Sequence, residues 1–518
     1  MRESIRSAML LGILSGCAVG WPVCRAEAET IVSPPNVLIF LMDDMGIGDT
    51  RVYDEHCKVE LPHVEQLARE GMVFTDAHSP AAVCAPTRYS ILTGNFPWRG
   101  REPNGTWTVQ RPSQIRPGQK TLADMLGRQG YDTAFFGKEH LGGGLIEAAT
   151  GKVFQKWKYT PDEVDFSQPM PEGLQTKGFD YVYSLPQGIQ GPPYAYFENG
   201  RLLGNPAEII TWEKGTYGRS AVKATGWGMP DWDSSAVGPN LTHHALEFLD
   251  RHYAAQSAGG SRKPFLLYYS SQSCHTPHTP PEELGGVKID GASGHSPHLD
   301  IIFEGNVTLG LLMDRIRAAG ELDNTLIIFT SDNGGLCWSQ RQEGDTSHNS
   351  SGNLKGGKGQ VWEGGHRVPL IVRWGDGTDA SPVPPGVRSD ALIGLQDLYA
   401  TLAELTGHAL ARNEALDSFS FLGVLQNREA GHQRDELLIQ SNNEPEWGQS
   451  STRAFRVGSW KLVVTKDHAP RNLFNLAEDP GERKDLVKEP DQADRIAAML
   501  KAYNRTIRSD RSVPLADL

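Results

Sequence analysis

The chain is poor in cysteine, short of basic charge relative to acidic charge, and has no long apolar run. Six cysteines in 518 residues are too few for a fold held together by disulfides. Fifty Lys and Arg stand against 63 Asp and Glu, for a formal net charge of -13 and a pI of about 5.7. That balance lacks the basic footprint of a non-specific nucleic-acid binder. With a mean hydropathy of -0.42 and no apolar stretch of about 18 residues or more, a polytopic membrane protein is excluded. Internal repeats and low-complexity tracts are missing as well. In abundance are 56 glycines and 33 prolines, above the usual ~12 %. Because 12 Trp, 14 Tyr and 17 Phe accompany them, they read as ordered loops around a packed core rather than as disorder. The length allows one large domain plus a smaller one, or two to three ordinary domains, each with an adequate core.

Residues 1–28 have the layout of an export signal. Arg2 and Arg6 form a charged start, Ala8–Leu14 is a short apolar core, and Ala26-Glu27-Ala28 is a small-residue cleavage candidate. A second reading stands beside it: Leu14-Ser15-Gly16-Cys17 resembles a bacterial lipoprotein box, with a lipid anchor at Cys17. Both readings export the protein to a periplasmic or extracellular location, where disulfides are permitted. Cleavage at residue 28 leaves Cys57, Cys84, Cys274 and Cys337. A Cys57–Cys337 or a Cys274–Cys337 bridge is then open, and spacing does not choose between them.

Asn36–Met42 is a continuous apolar run that ends in Asp43-Asp44, as in a parallel strand buried on both faces. Tyr131–Phe136, Phe265–Ser270, Thr325–Thr330 and Val368–Arg373 read as further strands. Leu61–Glu70, Thr121–Gln129, Leu241–Arg251, Asn306–Ala319 and Gly394–Thr406 read as helices. This alternation predicts an α/β sandwich around a mostly parallel sheet. Residues 141–240 are rich in Gly, Pro and Trp with little periodicity and read as a loop-rich insertion. Beyond about residue 430, Arg453–Val457, Lys461–Val464 and Asn472–Asn475 read as short antiparallel strands followed by one helix, Gln492–Asn504. The expected organisation is therefore a signal over 1–28, a catalytic α/β domain over 29–430 carrying the 141–240 insertion, and a C-terminal subdomain over 431–518.

Ligands of such sheets bind beyond the carboxyl ends of the strands. Asp43-Asp44 and Asp332-Asn333 both follow apolar strands. Three carboxylates and an amide oxygen are hard donors suited to Ca²⁺, or less well to Mg²⁺. Each pair alone also reads as a turn or a helix cap. The sharpest segment is Cys84-Ala85-Pro86-Thr87-Arg88 followed by Ser90-Ile91-Leu92-Thr93-Gly94. It resembles the signature of type I sulfatases, members of the alkaline phosphatase superfamily whose cysteine is oxidised to formylglycine during export. Further segments resemble that family in order along the chain. They are Leu41–Asp49, Gly137-Lys138-Glu139-His140-Leu141-Gly142, Cys274-His275-Thr276-Pro277-His278, Thr330–Gly334, Leu354–Gly359 with Trp362–Pro369, and Leu473–Leu476 with Asp479–Glu482. The resemblance runs from about residue 36 to 505 and is weakest over 141–240. Glu139 departs from it, standing where the family usually has tryptophan.

Singly, Lys138 and Lys358 read as surface charges and His140 and His275 as structural histidines. In family order they read as a site. The resemblance implies that Cys84, as formylglycine, is hydrated and attacks sulfur, with Arg88 and a cation stabilising its ionised form. It implies that Asp43, Asp44, Asp332, Asn333 and the modified Cys84 hold Ca²⁺, and that Lys138 and Lys358 bind the sulfate oxygens. His275 then protonates the leaving alcohol and also contacts substrate, while His140 is the base that lets sulfate leave. His278, three residues past His275, competes for the acid role. The implied partners are a formylglycine-generating system for maturation and a sulfated small molecule or polysaccharide. No nucleic acid and no transmembrane segment are expected. Trp157, Trp212, Trp227 and Trp232 in the insertion suit stacking on sugars or a local core, and Arg99, Arg101, His348 and His366 are further candidates for substrate recognition. A phosphate or phosphonate monoesterase of the same superfamily, and a non-catalytic glycan-binding protein, are the alternatives.

Overall fold

Strand β1 (Asn36–Met42) is fully buried. Val37, Ile39 and Leu41 enter one apolar core, and Leu38, Phe40 and Met42 enter a second. An unbroken apolar run is what a sheet covered on both faces requires. The computed structural model describes residues 34–204, 208–217, 220–257, 259, 262–336, 348–428, 434–441 and 453–508. The export signal over 1–28, Cys17 and Cys337 lie outside the described residues. Cys57, Cys84 and Cys274 carry free, buried thiols, and the pairings with Cys337 raised from the sequence lie outside the described residues.

Among the described residues, the main sheet has ten strands. In chain order they are β1, β2 (Met72–Phe74), β3 (Asp132–Lys138), β4 (Tyr181–Leu185), β5 (Phe197–Glu198), β6 (Arg201–Leu202), β7 (Phe265–Ser270), β8 (Thr325–Ser331), β9 (Leu370–Arg373) and β10 (Val387–Ser389). Their spatial order is β10-β2-β9-β8-β1-β7-β3-β4-β5-β6. The central block β8-β1-β7-β3-β4 is parallel throughout, and β9, β5 and β6 add antiparallel neighbours.

Helices cover both faces. They are α1 (Pro62–Glu70), α2 (Cys84–Thr93), α3 (Leu122–Arg128), α4 (Val237–Ser257), α5 (Pro297–Ala318) and α6 (Asp397–Leu405). Residues of α2, α3 and α6 join the core that receives Val37, while α1, α4 and α5 join the other. Thr121 starts α3 through a capping box, its Oγ1 accepting from Asp124 N and Asp124 accepting from Thr121 N. Helix α5 begins nine residues before the Asn306 expected from periodicity, because Ser296 caps it and Pro297 occupies its first position. Among the described residues, no helix is long and apolar enough to cross a membrane.

The expectation of loops over 141–240 is corrected. Strands β4, β5 and β6 lie within it and extend the main sheet, and a hairpin pairs Glu208–Tyr217 with Ser220–Gly228. Strands of two to five residues and a hairpin give too little periodicity, so the sequence pattern misses them, β4 included although its side chains enter both cores. At the C-terminal end, β11 (Glu436–Gln440), β12 (Arg453–Val457), β13 (Trp460–Val464) and β14 (Pro470–Asn475) form an antiparallel sheet. Met499 and Tyr503 of α7 (Ala493–Arg508) pack into the core of that sheet, which also takes in Phe96 and Val361.

Candidate active site

Strand register brings together residues far apart in sequence. Met42 pairs with Ser331, Leu41 with Ser270, and Ser270 with Gly137. The segments that follow these positions carry Asp43-Asp44, Asp332-Asn333, His275, and Lys138 with His140, all at one carboxyl edge. At Gly137 φ is +106°, and a Cβ there would sit 1.9 Å from the Ser270 carbonyl oxygen. Only glycine allows β3 to lie so close beside β7 next to Lys138. Asp44 and His140 take left-handed backbone with φ of 72° and 54°, a conformation that costs non-glycine residues energy and clusters at functional sites.

Helix α2 contributes Cys84 at its first position and Arg88 one turn on, so both face the same way. Arg88 donates from Nε and Nη2 to Asp332 Oδ2 at 3.0 and 2.6 Å, and from Nη1 to the Lys138 carbonyl at 3.0 Å. It also bonds Ser270 Oγ, which ties the ends of β3, β7 and β8 to one guanidinium. Cys84 Sγ lies 3.3 Å from His140 Nδ1. Lys138 Nζ donates to Asp43 Oδ2 at 2.8 Å. Lys358 Nζ sits 2.6 and 2.7 Å from the two oxygens of Asp44, and His275 Nε2 is 3.7 Å from Asp44 Oδ2.

Ligand atoms of Asp43, Cys84 and Asp332 lie within 4.8 Å of one another. Asn333 Nδ2 donates to Asp44 Oδ1 at 2.9 Å, while Asn333 Oδ1 and Asp43 Oδ1 are buried without a hydrogen-bond partner among the described residues. Arg88 Nη2 approaches Asp43 Oδ1 only to 3.4 Å. Two orphaned buried oxygens inside a carboxylate cluster are unsatisfied acceptors, and a hard divalent cation is the group they fit.

The charges are strongly coupled. Burial pushes Asp332 up to about 7, and Asp43 and Asp44 add to it against the opposing pull of Arg88. Burial also raises Asp43, but Lys138, His275 and Arg88 together outweigh it and hold this carboxylate ionised. Burial, then Lys358 and Lys138, push His275 down to about 4. Burial, then Lys138 and Arg88, hold His140 well below the usual imidazole range. Both histidines are therefore neutral near pH 7 and free to accept protons. Burial raises the unmodified Cys84 thiol.

The ten residues singled out from the sequence, Asp43, Asp44, Cys84, Arg88, Lys138, His140, His275, Asp332, Asn333 and Lys358, thus converge on one cluster. Glu139, which departs from the family pattern, and His278, the competitor for the acid role, fall outside it. Glu139 is buried, bonded by Ser184 Oγ, and pushed up to about 7 by burial. His278 turns its Nε2 to the Cys274 carbonyl at 3.0 Å and toward His298 at 3.4 Å. Of the looser candidates, Arg99 is fully buried on Asp417, Arg101 pairs with Glu172, and His366 contacts His78 and Lys461. His348 donates to Asp49 at 2.8 Å. Sequence reasoning missed the role of Asp49. Besides His348, it accepts from Ser350 Oγ at 2.7 Å and from Gly46 N at 2.8 Å, which fixes the loop after Asp44. Its signal was in view, five residues past Asp44 in the same Gly-rich turn.

Residues 35–408 match the sulfatase family. The chain belongs to that family. This sulfatase is a sulfuric ester hydrolase, and the match agrees with the type I signature at Cys84. It is 29 % identical over 504 residues to the N-acetylgalactosamine-6-O-sulfatase of Bacteroides thetaiotaomicron, covering 88 % of this chain and 90 % of that one. It is 28 % identical to human arylsulfatase A, covering 89 % of this chain and 85 % of the relative. A solved structure described under the metabolism of multiple glycosaminoglycans by Bacteroides thetaiotaomicron superposes with a TM-score of 0.74 at 26 % identity, over 92 % of this chain and all of that one. The PsFucS1 sulfatase from Pseudoalteromonas shares the fold, with a TM-score of 0.67 at 22 % identity over 92 % of this chain and 91 % of that one.

Proposed function

We propose that this sulfatase hydrolyses sulfate esters of a saccharide, with Cys84 as formylglycine for its nucleophile and Ca²⁺ for its cation. The observation that carries this reading is the buried cluster in which Cys84, three carboxylates, two lysines and two neutral histidines converge. Asp43, Asp44, Asp332, Asn333 and the modified Cys84 hold the cation. Ca²⁺ suits them better than Mg²⁺, because many protein oxygens in an adaptable cage favour the larger ion. When bound, the cation supplies positive charge for an ionised oxygen at residue 84 and for the sulfuryl group. Formylglycine supplies, when hydrated, a hydroxyl nucleophile on a carbon that can revert to an aldehyde.

The chain's own side chains do the rest. Lys138 and Lys358 exchange part of their hold on Asp43 and Asp44 for the sulfate oxygens, acting as point charges. Arg88 keeps Asp332 and the Lys138 backbone in register. His140 Nδ1, 3.3 Å from Sγ of residue 84, takes a proton from that residue's second hydroxyl so that sulfate departs. His275 Nδ1 donates to the Thr276 carbonyl at 2.7 Å, which leaves Nε2 facing the cluster to deliver a proton to the leaving oxygen. The field of Lys358 and Lys138 holds His275 low, and the anionic sulfate ester between the lysines opposes that field and raises its proton affinity, so that Nε2 takes up the proton it then delivers.

The names of the relatives support a saccharide substrate. Maturation requires a formylglycine-generating system. The reading includes export by the segment at 1–28, by simple cleavage or with lipid at Cys17, to a periplasmic or extracellular location, and a division into 29–430 and 431–518. The test compares a sulfate and a phosphate ester of one phenol, with mass analysis of the tryptic peptide Glu70–Arg88. Sulfate preference and a formylglycine mass at position 84 are expected. A phosphate preference, or unmodified cysteine in active enzyme from the native host, overturns the proposal.

A further inference from the structure

Four large apolar side chains stand exposed among the described residues, and two of them, Trp157 at 52 % and Ile209 at 62 %, line the same cleft. The cleft has a volume of about 570 Å³, and Tyr159, Trp227, Gln110 and Gln187 also line it. Exposed apolar surface gathered in a concavity marks a binding site rather than chance exposure. Arg111 lies over one face of Trp157, its Cζ 4.7 Å from the ring centre, and fixes the indole while half of it stays open. Gln110 is 1 % exposed. Its Nε2 donates to the Trp157 carbonyl at 2.5 Å, yet its Oε1 has no hydrogen-bond partner among the described residues. The cleft therefore offers aromatic faces together with an unused, buried acceptor.

Its position relates it to the catalytic cluster. Gln187 is held by Val109 N, which donates to its Oε1 at 3.2 Å. The preceding residue, Pro186, accepts from His140 N at 2.8 Å. The following residue, Gly188, packs so tightly that a Cβ on it would meet Lys138 Cδ at 2.9 Å. One turn thus touches His140 and Lys138 on one side and forms a wall of the cleft on the other.

We propose that this cleft is a subsite for a sugar ring of an oligosaccharide, beyond the ring that carries the scissile sulfate. Rings with apolar C–H faces and hydroxyl edges match aromatic walls and a lone amide acceptor. The inference rests on the saccharide reading above and extends it to chain length: more than one sugar unit is engaged.

The experiment compares the wild type with Trp157→Ala and with the Trp157→Ala, Ile209→Ser double variant. Both side chains are exposed, so neither change opens the core. Kinetics are measured on an aryl sulfate and on a tetrasaccharide ending in N-acetylgalactosamine 6-sulfate, and tryptophan fluorescence reports binding of the desulfated tetrasaccharide. The expected result is a rise in KM for the tetrasaccharide of about tenfold, with kcat within about twofold and aryl sulfate turnover unchanged. Binding of the desulfated tetrasaccharide weakens by a similar factor. Tetrasaccharide KM and binding that match the wild type in both variants overturn the subsite, as does a wild type that does not bind the tetrasaccharide. If the wild type binds it but releases sulfate from neither ester, the reading of the reaction has failed, and the fluorescence titration alone decides the subsite.

Discussion

His140 Nδ1 stands 3.3 Å from Cys84 Sγ, although 56 residues separate them in sequence. This contact gives the proposed base a direct line to the nucleophile. The His140→Ala variant is expected to release about one equivalent of alcohol per active chain and then turn over 10²- to 10⁴-fold more slowly, roughly the contribution of a positioned base. Rapid-quench measurement of alcohol against free sulfate checks it. Equal slowing of the first and later turnovers removes His140 from the second half of the reaction.

His275 and His278 are separable by leaving group. His275 Nε2 faces the cluster, while His278 is turned to the Cys274 carbonyl. The His275→Ala variant is expected to lose on the order of 10²-fold or more in kcat with an alkyl or sugar sulfate. It should lose far less with a nitrophenyl sulfate, whose leaving group needs no proton. His278→Ala should not discriminate between the two esters. The reverse pattern transfers the acid role to His278.

The three carboxylates of Asp43, Asp44 and Asp332 are all fully buried and repel one another without a cation. Removing divalent ions with a chelator should lower the melting temperature as well as abolish turnover. At 100 times its Kd, an ion bound only to the folded chain adds about 2.7 kcal/mol. Ca²⁺ is expected to restore more of the melting temperature than equimolar Mg²⁺. Asn333→Ala should blunt the calcium-dependent rise, and an unblunted rise in that variant would place the ion elsewhere.

Glu304 makes a pH-dependent contribution. It is buried in α5, accepts from Gln272 Nε2 at 3.2 Å, and is pushed up to about 8 by burial. A folded-state value above the unfolded one means that stability is full below about 4.5 and is lost as pH rises toward 8, at up to about 1.4 kcal/mol per pH unit. Glu304→Gln keeps the shape and removes the titration. The variant should therefore gain stability relative to the wild type between pH 5 and 8 and show no such gain at pH 4. Chemical denaturation across that range is the measurement, and parallel curves for the two proteins count against the assignment.

Lys461 of β13 is completely buried between Glu363 at 2.9 Å and Glu482 at 2.8 Å. It links the C-terminal sheet to the late lysine segment. Lys461→Ala takes the shared cation from two buried carboxylates and leaves Glu363 with the longer contact to Arg367 at 3.4 Å, and a loss of about 3–5 kcal/mol in unfolding free energy is expected. A loss below about 1 kcal/mol would show that the carboxylates find another partner or a proton.

The sequence alone determined β1, β3, β7, β8 and β9, because burial on both faces of a sheet favours apolar runs such as Val37–Met42. It also determined the chemistry carried at the strand ends, since Asp43-Asp44, Asp332-Asn333 and the Cys84–Arg88 segment are local patterns. What it left undecided was set by partners distant along the chain. Strand register put Ser331, Ser270 and Gly137 side by side, which gathered Asp332, His275 and Lys138 at one edge, and helix α2 set Cys84 and Arg88 against them. Which of His275 and His278 faces Asp44 was likewise set by the fold, with His275 Nε2 at 3.7 Å from Asp44 Oδ2 and His278 Nε2 on the Cys274 carbonyl. Glu139 and Arg99 proved to be held by Ser184 and Asp417. Strands β5 and β6 are two-residue pieces and β4, though paired on both sides, is a five-residue mix of Tyr, Val, Ser and Leu, all too short for periodicity to mark. They, and the turn at Gln187, exist where they do only because the parallel sheet was there to extend.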